Sequence, residues 1–263
     1  MYGCQTKRLS ALDKVNLLKL VISYLNNISM NGLFITGTDT GIGKTTIAAA
    51  LTRALYNKGI DVGVMKPFAT SECNFSANYR SKDVAILAEA AKVNDADEEI
   101  NPFFYTVPSA PFLASRFLNA PEVNIYTAWR LFQSLSVKHE FMIVEGIGGI
   151  LVPLTKDEKV ADFAKLLNIP TIIVSSYNIG TINHTLLTTT ACSMYNLDVI
   201  GIVINKVPDK SDIKPSILRK TIEETSGVQV LCEMPFVDKD SIDYNSTLIE
   251  KKMNIEDLLT RSR

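Results

Sequence analysis

Short apolar runs recur along the chain at residues 32–36, 62–66, 141–145, 171–175, 199–205 and 229–233. Within them Val, Ile, Leu and Phe follow one another instead of alternating with polar residues, which predicts strands buried on both faces, as in a parallel sheet covered by helices. Between the runs, apolar residues at helical spacing predict helices over 44–57, 83–91, 127–138, 160–167, 182–195 and 214–226. The alternation predicts the α/β class: one domain over 31–263, built on a mostly parallel β-sheet flanked by helices on both faces. No repeat, low-complexity tract or interdomain linker interrupts it. Residues 70–79 are polar and read as a long loop after a strand, where ligands bind in open parallel sheets. The tail, 239–263, is polar and carries a weaker pattern.

Composition narrows the class. The chain has 263 residues, 46% of them hydrophobic, enough for a sizeable core. Lys and Arg number 27 against 28 Asp and Glu, so a net charge of −1 gives no sign of a nucleic-acid partner. Cys4, Cys73, Cys192 and Cys232 lie far apart and form no CxxC pair, which suggests neither a zinc site nor a disulfide framework. No apolar stretch reaches the roughly 18–20 residues that span a bilayer, and a cytoplasmic location without a membrane partner is expected. Before Met30, the residues Leu9, Leu12, Leu17, Leu20, Val21 and Leu25 fall near helical spacing. A docked amphipathic helix, a targeting presequence and a poorly folding extension compete there. Asp13, Lys14, Asn16 and Lys19 interrupt the run and argue against a secretory signal. The expectation is an N-terminal extension over 1–30, a peripheral helix or poorly ordered, with no role in chemistry.

The first run leads into Gly37-Thr38-Asp39-Thr40-Gly41-Ile42-Gly43-Lys44-Thr45-Thr46, and Ala48, Ala49, Ala50 and Leu51 continue as a helix. Strand, glycine-rich loop and helix form the setting of a phosphate-binding loop. Glycines let successive backbone N–H groups converge on phosphate oxygens. The helix N-terminus adds donors and a positive dipole end. Lys44 supplies a cation for the β- and γ-phosphates, and the Thr45 hydroxyl a ligand for Mg²⁺. The loop therefore points to ATP and Mg²⁺. The usual pattern GxxxxGK[ST] would place its first glycine at position 38, which is Thr38; Gly37 lies one residue earlier. A junction whose glycines serve packing alone is the alternative, and Gly43-Lys44-Thr45-Thr46 in this setting speaks against it.

Other polar groups fall at predicted strand ends. Lys66 either points into the crevice above the sheet or snorkels to the surface. Asp83 opens a helix, as a first-turn acid or as a carboxylate acting on Mg²⁺. In Val144-Glu145-Gly146-Ile147-Gly148-Gly149 a strand delivers an acid and glycines keep the following backbone low, an arrangement that holds a metal or its water in P-loop proteins. A buried salt bridge is the plainer reading of Glu145. Gly180, Thr181, Ile182 and Asn183 open a helix whose first amides suit a carboxylate, unless Thr181 or Asn183 merely caps it. His184 is assigned no role as a base. Asn205, followed by Lys206, ends a strand with an amide able to pair with a nucleobase edge. Pro235-Phe236-Val237 packs against a base or simply ends the next strand.

Taken in series, GTDTGIGKTT at 37–46, KPFATS at 66–71, SKD at 81–83, VPSAPFLAS at 107–115, VEGIGGILVPL at 144–154, IGTINHTLLT at 179–188 and INKVP at 204–208 resemble the dethiobiotin synthetase family of P-loop NTPases. The first loop alone is shared by several P-loop families. The series is specific, GTINHTLLT and VEGIGG above all, and the family's own threonine accounts for Thr38. The resemblance implies a single-domain P-loop NTPase-like fold and ATP- and Mg²⁺-dependent carboxylation and ring closure of 7,8-diaminononanoate. CO₂ is the carbon source, and a carbamate and a carbamic–phosphoric anhydride precede dethiobiotin, ADP and phosphate. It implies Gly41, Ile42, Gly43, Lys44, Thr45 and Thr46 on the phosphates, and Thr45, Asp83 and Glu145 on Mg²⁺. Lys66 becomes the catalytic lysine on the carbamate, with Lys44 bridging toward the transferred phosphoryl. Glu145, Gly146, Ile147 and Gly148 would line the nucleotide, and Asn205, Lys206, Pro235, Phe236 and Val237 the adenine. Thr70 would touch substrate, while Gly180, Thr181, Ile182 and Asn183 would receive its carboxylate near the interface of a homodimer. Two departures stand out: Thr70 where the family usually has serine, and Phe112 where it often has histidine.

The main rival is a nucleotide-switched binding ATPase of the ParA/MinD kind. Many such proteins carry a signature lysine where this chain has Asp39, and a strand-end aspartate where it has Glu145. An amidotransferase synthetase of cobalamin biosynthesis would need a glutaminase nucleophile, and neither Cys192 nor Cys232 sits in such a motif. A chain started at Met30 is expected to fold and to keep its turnover; loss of catalysis in a folded product would show that residues 1–29 take part.

Overall fold

A computed structural model of the chain describes residues 30–208, 213–237 and 241–262, so the helix expected before Met30 lies outside the described residues. Along the chain β1 (Gly32–Gly37) leads to α1 (Lys44–Asn57), β2 (Val62–Met65), β3 (Phe68–Thr70), α2 (Lys82–Ala91), α3 (Asp97–Ile100) and β4 (Phe103–Tyr105). Next come α4 (Pro111–Leu118), α5 (Ile125–Lys138), β5 (Phe141–Glu145), α6 (Val160–Leu167), β6 (Thr171–Ser176), α7 (Thr181–Met194) and β7 (Val199–Val207). The last elements are α8 (Pro215–Ser226), β8 (Val230–Pro235), α9 (Ile242–Lys252) and α10 (Ile255–Arg261).

Six strands form one sheet in the order β2-β5-β1-β6-β7-β8, and every neighbouring pair is parallel. Every residue of β1, β2, β5 and β6 is buried, as unbroken apolar runs require. Leu33 and Ile35 share a core with Ile47 and Leu51 of α1, Leu87 of α2, Ile249 of α9 and Leu258 of α10. Phe34, between them, points to the opposite face, and Phe132 of α5 and Phe163 of α6 are fully buried outside that core. Because all six strands are parallel, their C-terminal ends line one edge. β1 lies between β5 and β6, so the loops leaving these three strands open side by side there, where open α/β sheets bind ligands.

The small elements are the ones the sequence pattern did not predict. β3 and β4 have three residues each and pair with one another in parallel, Phe68 opposite Phe103. Each follows a proline, Pro67 or Pro102, and the Phe68 ring meets Phe163 edge-on at 5.0 Å. α3 and α4 are likewise short. The polar tail folds into α9 and α10, each opened by a side-chain cap, Ser241 and Asn254.

Boundaries differ from expectation where local chemistry sets them. The β2 ladder stops at Met65, one residue before Lys66. α5 starts at Ile125 because Asn124 caps it, accepting from Thr127 N at 2.9 Å. α7 starts at Thr181 behind Gly180. β7 continues past Asn205 to Val207 through an irregularity in its pairing with β8, with Lys206 at φ +57°. No helix among the described residues is long and apolar enough to cross a membrane.

Candidate functional site

The loop after β1 stays in the sheet through Thr38, whose N–H donates to Val174 O at 2.9 Å, and then turns. Gly43 takes φ +92°, and a Cβ there would lie 2.1 Å from Asn205 Nδ2. Gly43 caps α1 without a side-chain acceptor, and the first turn holds no acid, which leaves the positive helix end for an anion. Lys44 is buried, and its ammonium donates back to Asp39 O at 2.8 Å. Burial, and then the nearby Lys66, lowers the Lys44 pKa to about 8, against the pull of Glu145, Asp83 and Asp39.

Beside the loop, β2 and β5 run next to each other; Lys66 follows β2 and Glu145 ends β5. Lys66 Nζ lies 2.7 Å from Glu145 Oε1 and 3.3 Å from Asp83 Oδ2, and donates to Gly146 O at 3.2 Å. Thr45 Oγ1 donates to the same Glu145 Oε1 at 2.9 Å. Lys66 is 3% exposed and Glu145 1%, so water does little to compensate either charge. Burial works against the Lys66 ammonium, but Glu145 and Asp83 outweigh it and hold its pKa above the ordinary lysine value. Burial also raises the Glu145 carboxyl, opposed by Lys66. Glu145 Oε2 is buried and has no hydrogen-bond partner among the described residues. An orphaned carboxylate oxygen, a hydroxyl and the partly exposed Asp83 make an all-oxygen donor set that suits a hard cation. No cage of three or more His, Cys, Asp or Glu gathers among the described residues. Mg²⁺ is commonly held in this way, by one or two carboxylates completed by ligand phosphates and water.

The strand ends on the far side of the loop reach back to it. Asn205, buried at the end of β7, donates through Nδ2 to Ile42 O at 2.9 Å, and Lys206 Nζ donates to Gly41 O at 2.6 Å. One of the two N–H groups of the Asn205 amide is used here on the loop backbone. Phe236, 57% exposed, continues β8 and bonds through its N–H to Val207 O at 2.8 Å.

The structure thus brings Thr45, Lys66, Asp83 and Glu145 into one network and ties Asn205 and Lys206 to the loop between Gly41 and Lys44. Thr70 stands apart from that network on β3, half-buried. Gly180, Thr181, Ile182 and Asn183 open α7 at the end of β6. Gly180 is the N-cap and no side chain caps the helix; Thr181 instead shares a buried hydroxyl chain, 2.7 Å to Ser175, which lies 2.9 Å from Thr185. Sequence reasoning missed Asn101, whose Nδ2 donates to Lys66 O at 2.6 Å, and Arg80, which donates to Asn101 O at 2.6 Å. The sequence repeats only the dipeptide Pro-Phe after Lys66 and after Asn101, which by itself points to neither residue.

A family model described as "AAA domain" matches residues 31–241. An ATP-dependent dethiobiotin synthetase of Nitrosopumilus maritimus is 39% identical over 232 residues, which cover 88% of this chain and all (100%) of the relative. One of Bacillus licheniformis is 37% identical over 238 residues, 86% of this chain and 100% of the relative. Among solved structures, a ParA family ATPase of Chlorobium tepidum aligns with a TM-score of 0.50 at 17% identity, over 85% of this chain and 92% of its own. The septum site-determining protein MinD of Pyrococcus horikoshii, complexed with Mg-ADP, gives 0.50 at 16% identity, over 87% and 98%. At that identity the likeness is one of fold alone.

Gly43→Ala adds a methyl group against Asn205 at a left-handed φ. Strain of this kind costs about 1–3 kcal/mol, so the variant is expected to be less stable than wild type by about that amount in a denaturant titration.

Proposed function

The chain belongs to the dethiobiotin synthetase family, and from that premise we propose that the strand-end network of Thr45, Lys66, Asp83 and Glu145 carries the reaction. The protein is an ATP-dependent, Mg²⁺-using enzyme that carboxylates 7,8-diaminononanoate and closes it to dethiobiotin. One amine captures CO₂ as a carbamate, a carbamate oxygen takes the γ-phosphoryl of ATP, and the second amine attacks the mixed anhydride. Phosphate leaves as the cyclic urea forms. Relatives that match over their whole length at 39% and 37% identity favour this reaction over a ParA/MinD-like switch.

The observation that supports the assignment of residues is a buried lysine bridging two carboxylates, one of which has an oxygen without a partner among the described residues. Carbamate and γ-phosphoryl are both anionic, so the reaction needs positioning and charge compensation more than a protein nucleophile. Lys66 faces the carbamate and offsets its charge. Lys44 bridges toward the transferred phosphoryl, and the main chain from Gly41 through Ile42 and Gly43 to Thr46 cradles the phosphates. Thr45, Asp83 and Glu145 hold Mg²⁺, which when bound neutralises phosphate charge. Gly146, Ile147 and Gly148 line the nucleotide; Asn205, Lys206, Pro235, Phe236 and Val237 surround the adenine.

Thr70 touches the substrate with a hydroxyl that carries one methyl more than serine. The first amides of α7, at Gly180, Thr181, Ile182 and Asn183, receive the substrate carboxylate across the interface of a homodimer. The exposed apolar side chains of Ile179, Ile182 and Leu187 beside them favour a second copy of the chain there.

The deciding assay supplies ATP, Mg²⁺, bicarbonate and 7,8-diaminononanoate and weighs the product: the cyclic urea is expected, and hydrolysis stimulated only by DNA or a membrane would overturn the reading. Lys66→Ala is expected to lower turnover by about 10²–10³-fold, the usual cost of losing one preorganised charge, while the folded variant still binds ATP; near-normal turnover would remove Lys66 from the chemistry. Glu145→Gln is expected to move the Mg²⁺ titration of activity to higher concentration, and an unmoved midpoint would count against metal ligation.

A further inference from the structure

Lys66 lies one residue beyond the last rung of β2, where sheet pairing no longer fixes its backbone. Pro67 follows it and has no N–H to give. The parallel pairing of β3 with β4 sets Phe68 opposite Phe103, and with it Pro67 opposite Pro102 and Lys66 opposite Asn101. Both prolines lack a donor, so main-chain pairing thins out at the residue on which the reaction depends.

Ile100 and Asn101 fill the gap. Lys66 N donates to Ile100 O at 3.0 Å, and Asn101 Nδ2 donates to Lys66 O at 2.6 Å. Asn101 is wholly buried, and its own position is fixed from two sides: its N–H donates to Asp97 O at 2.6 Å, and its carbonyl accepts from Arg80 NH2 at 2.6 Å. Arg80 also forms an ion pair with the Asp97 carboxylate, which is 6% exposed, and its main-chain N–H donates to Asp97 Oδ1 at 3.3 Å. Arg80 immediately precedes Ser81, the N-cap of the helix that carries Asp83. One bracket therefore spans both partners: its Asn101 end holds the Lys66 backbone, and its Arg80 end holds the entry to the Asp83 helix. Asn101 Oδ1 is buried without a hydrogen-bond partner among the described residues.

We propose that Asn101 is a positioning residue for Lys66, and that Arg80 and Asp97 form the clamp that holds it, so that the distance between Lys66 and Asp83 is set by this bracket and not by the main sheet. The proposal rests on the assignment of Lys66 to the reaction. Displacing a reacting group by about 1 Å costs up to roughly 10²-fold in rate, so a loosened backbone at Lys66 lowers kcat and spares the binding of ATP at the separate loop.

The test compares wild type, Asn101→Ala and Arg80→Met in the full chain, with kcat and the KM for ATP taken well below each variant's melting temperature. In parallel, acetylation of Lys66 by an N-hydroxysuccinimidyl ester is read by peptide mass spectrometry, with Lys44 as the internal control. In Asn101→Ala, kcat falls by about tenfold or more, the KM for ATP stays within about twofold, and Lys66 acetylates faster while Lys44 does not. A smaller fall in kcat, an equal change in KM, or equal acceleration at both lysines overturns the proposal. Should Asn101→Ala fail to fold, Arg80→Met decides, since its side chain is partly exposed: a fall in kcat without a change in KM supports the bracket, and an unchanged kcat overturns it. If wild type itself makes no cyclic urea, the proposed reaction falls, and the acetylation ratio still decides whether Asn101 positions Lys66.

Discussion

The ion pair between Lys66 and Glu145 is the constraint on which the rest of the site depends. Each charge is almost fully buried, and a charge taken out of water costs several kcal/mol unless it is paired. Each residue is costly there without the other: removing one partner of such a pair typically destabilises by about 3–5 kcal/mol, because an uncompensated charge stays behind. The pairing of β2 with β5 sets Met65 opposite Val144, so Lys66 and Glu145 arrive together at the edge. A one-residue slip in that register would turn every side chain of the strand to the other face and part the charges. Sheet register and site electrostatics are thus one requirement met by the same two strands.

From that pair the charge balance of the crevice follows. Lys66 uses both carboxylates, so Lys44 is left with a main-chain carbonyl of its own loop as its hydrogen-bond partner, and with another cation near it. Its pKa is lowered first by burial and then by that cation, against the pull of Glu145, Asp83 and Asp39. The loop amides, the open end of α1 and an under-compensated lysine all favour the same visitor, a polyanion. On the other side of the loop, Asn205 and Lys206 hold the carbonyls of Ile42 and Gly41. These carbonyls are the groups that would repel phosphate if they turned inward, so the bonds from the end of β7 help keep the loop's donors facing the ligand.

The main sheet was legible because most of its strands are buried on both faces, and burial of that kind leaves an unbroken apolar signature. β3 and β4 left none: three residues after a proline make no period. α9 and α10 were equally faint, since only one side of each meets the core and polar residues dominate the count. In the site, Lys66 and Glu145 were legible as charged residues ending apolar runs. Asp83 was ambiguous because a first-turn acid needs no ligand to explain it, and its 3.3 Å approach to Lys66 is a tertiary fact. Asn101 and Arg80 were invisible for the same reason: they act through main-chain carbonyls of residues distant in sequence, and a carbonyl has no letter in a sequence. Asn205 was singled out for a base edge, and its further bond to the loop was not legible, because only the fold brings Ile42 O within reach of its amide.

Thr38 shows how a motif should be weighed against the physics behind it. A regular expression demands glycine at that position, yet glycine is needed only where φ is positive or where a Cβ would collide. Thr38 meets neither condition: it is absent from the positive-φ residues, and its N–H still extends the sheet by bonding to Val174 O. The strict positions lie elsewhere. Gly43 has both a left-handed φ and Asn205 against it, and a Cβ on Gly37 would lie 2.6 Å from Ile42 Cδ1 and 2.9 Å from Lys44 Cδ. The loop therefore keeps a glycine wherever the path of the chain to Lys44 would otherwise be blocked, and admits threonine where the chain is still strand. A departure from the pattern that leaves these two positions and Gly41, at φ +73°, intact does not weaken the phosphate loop; it marks where the sheet ends and the loop begins.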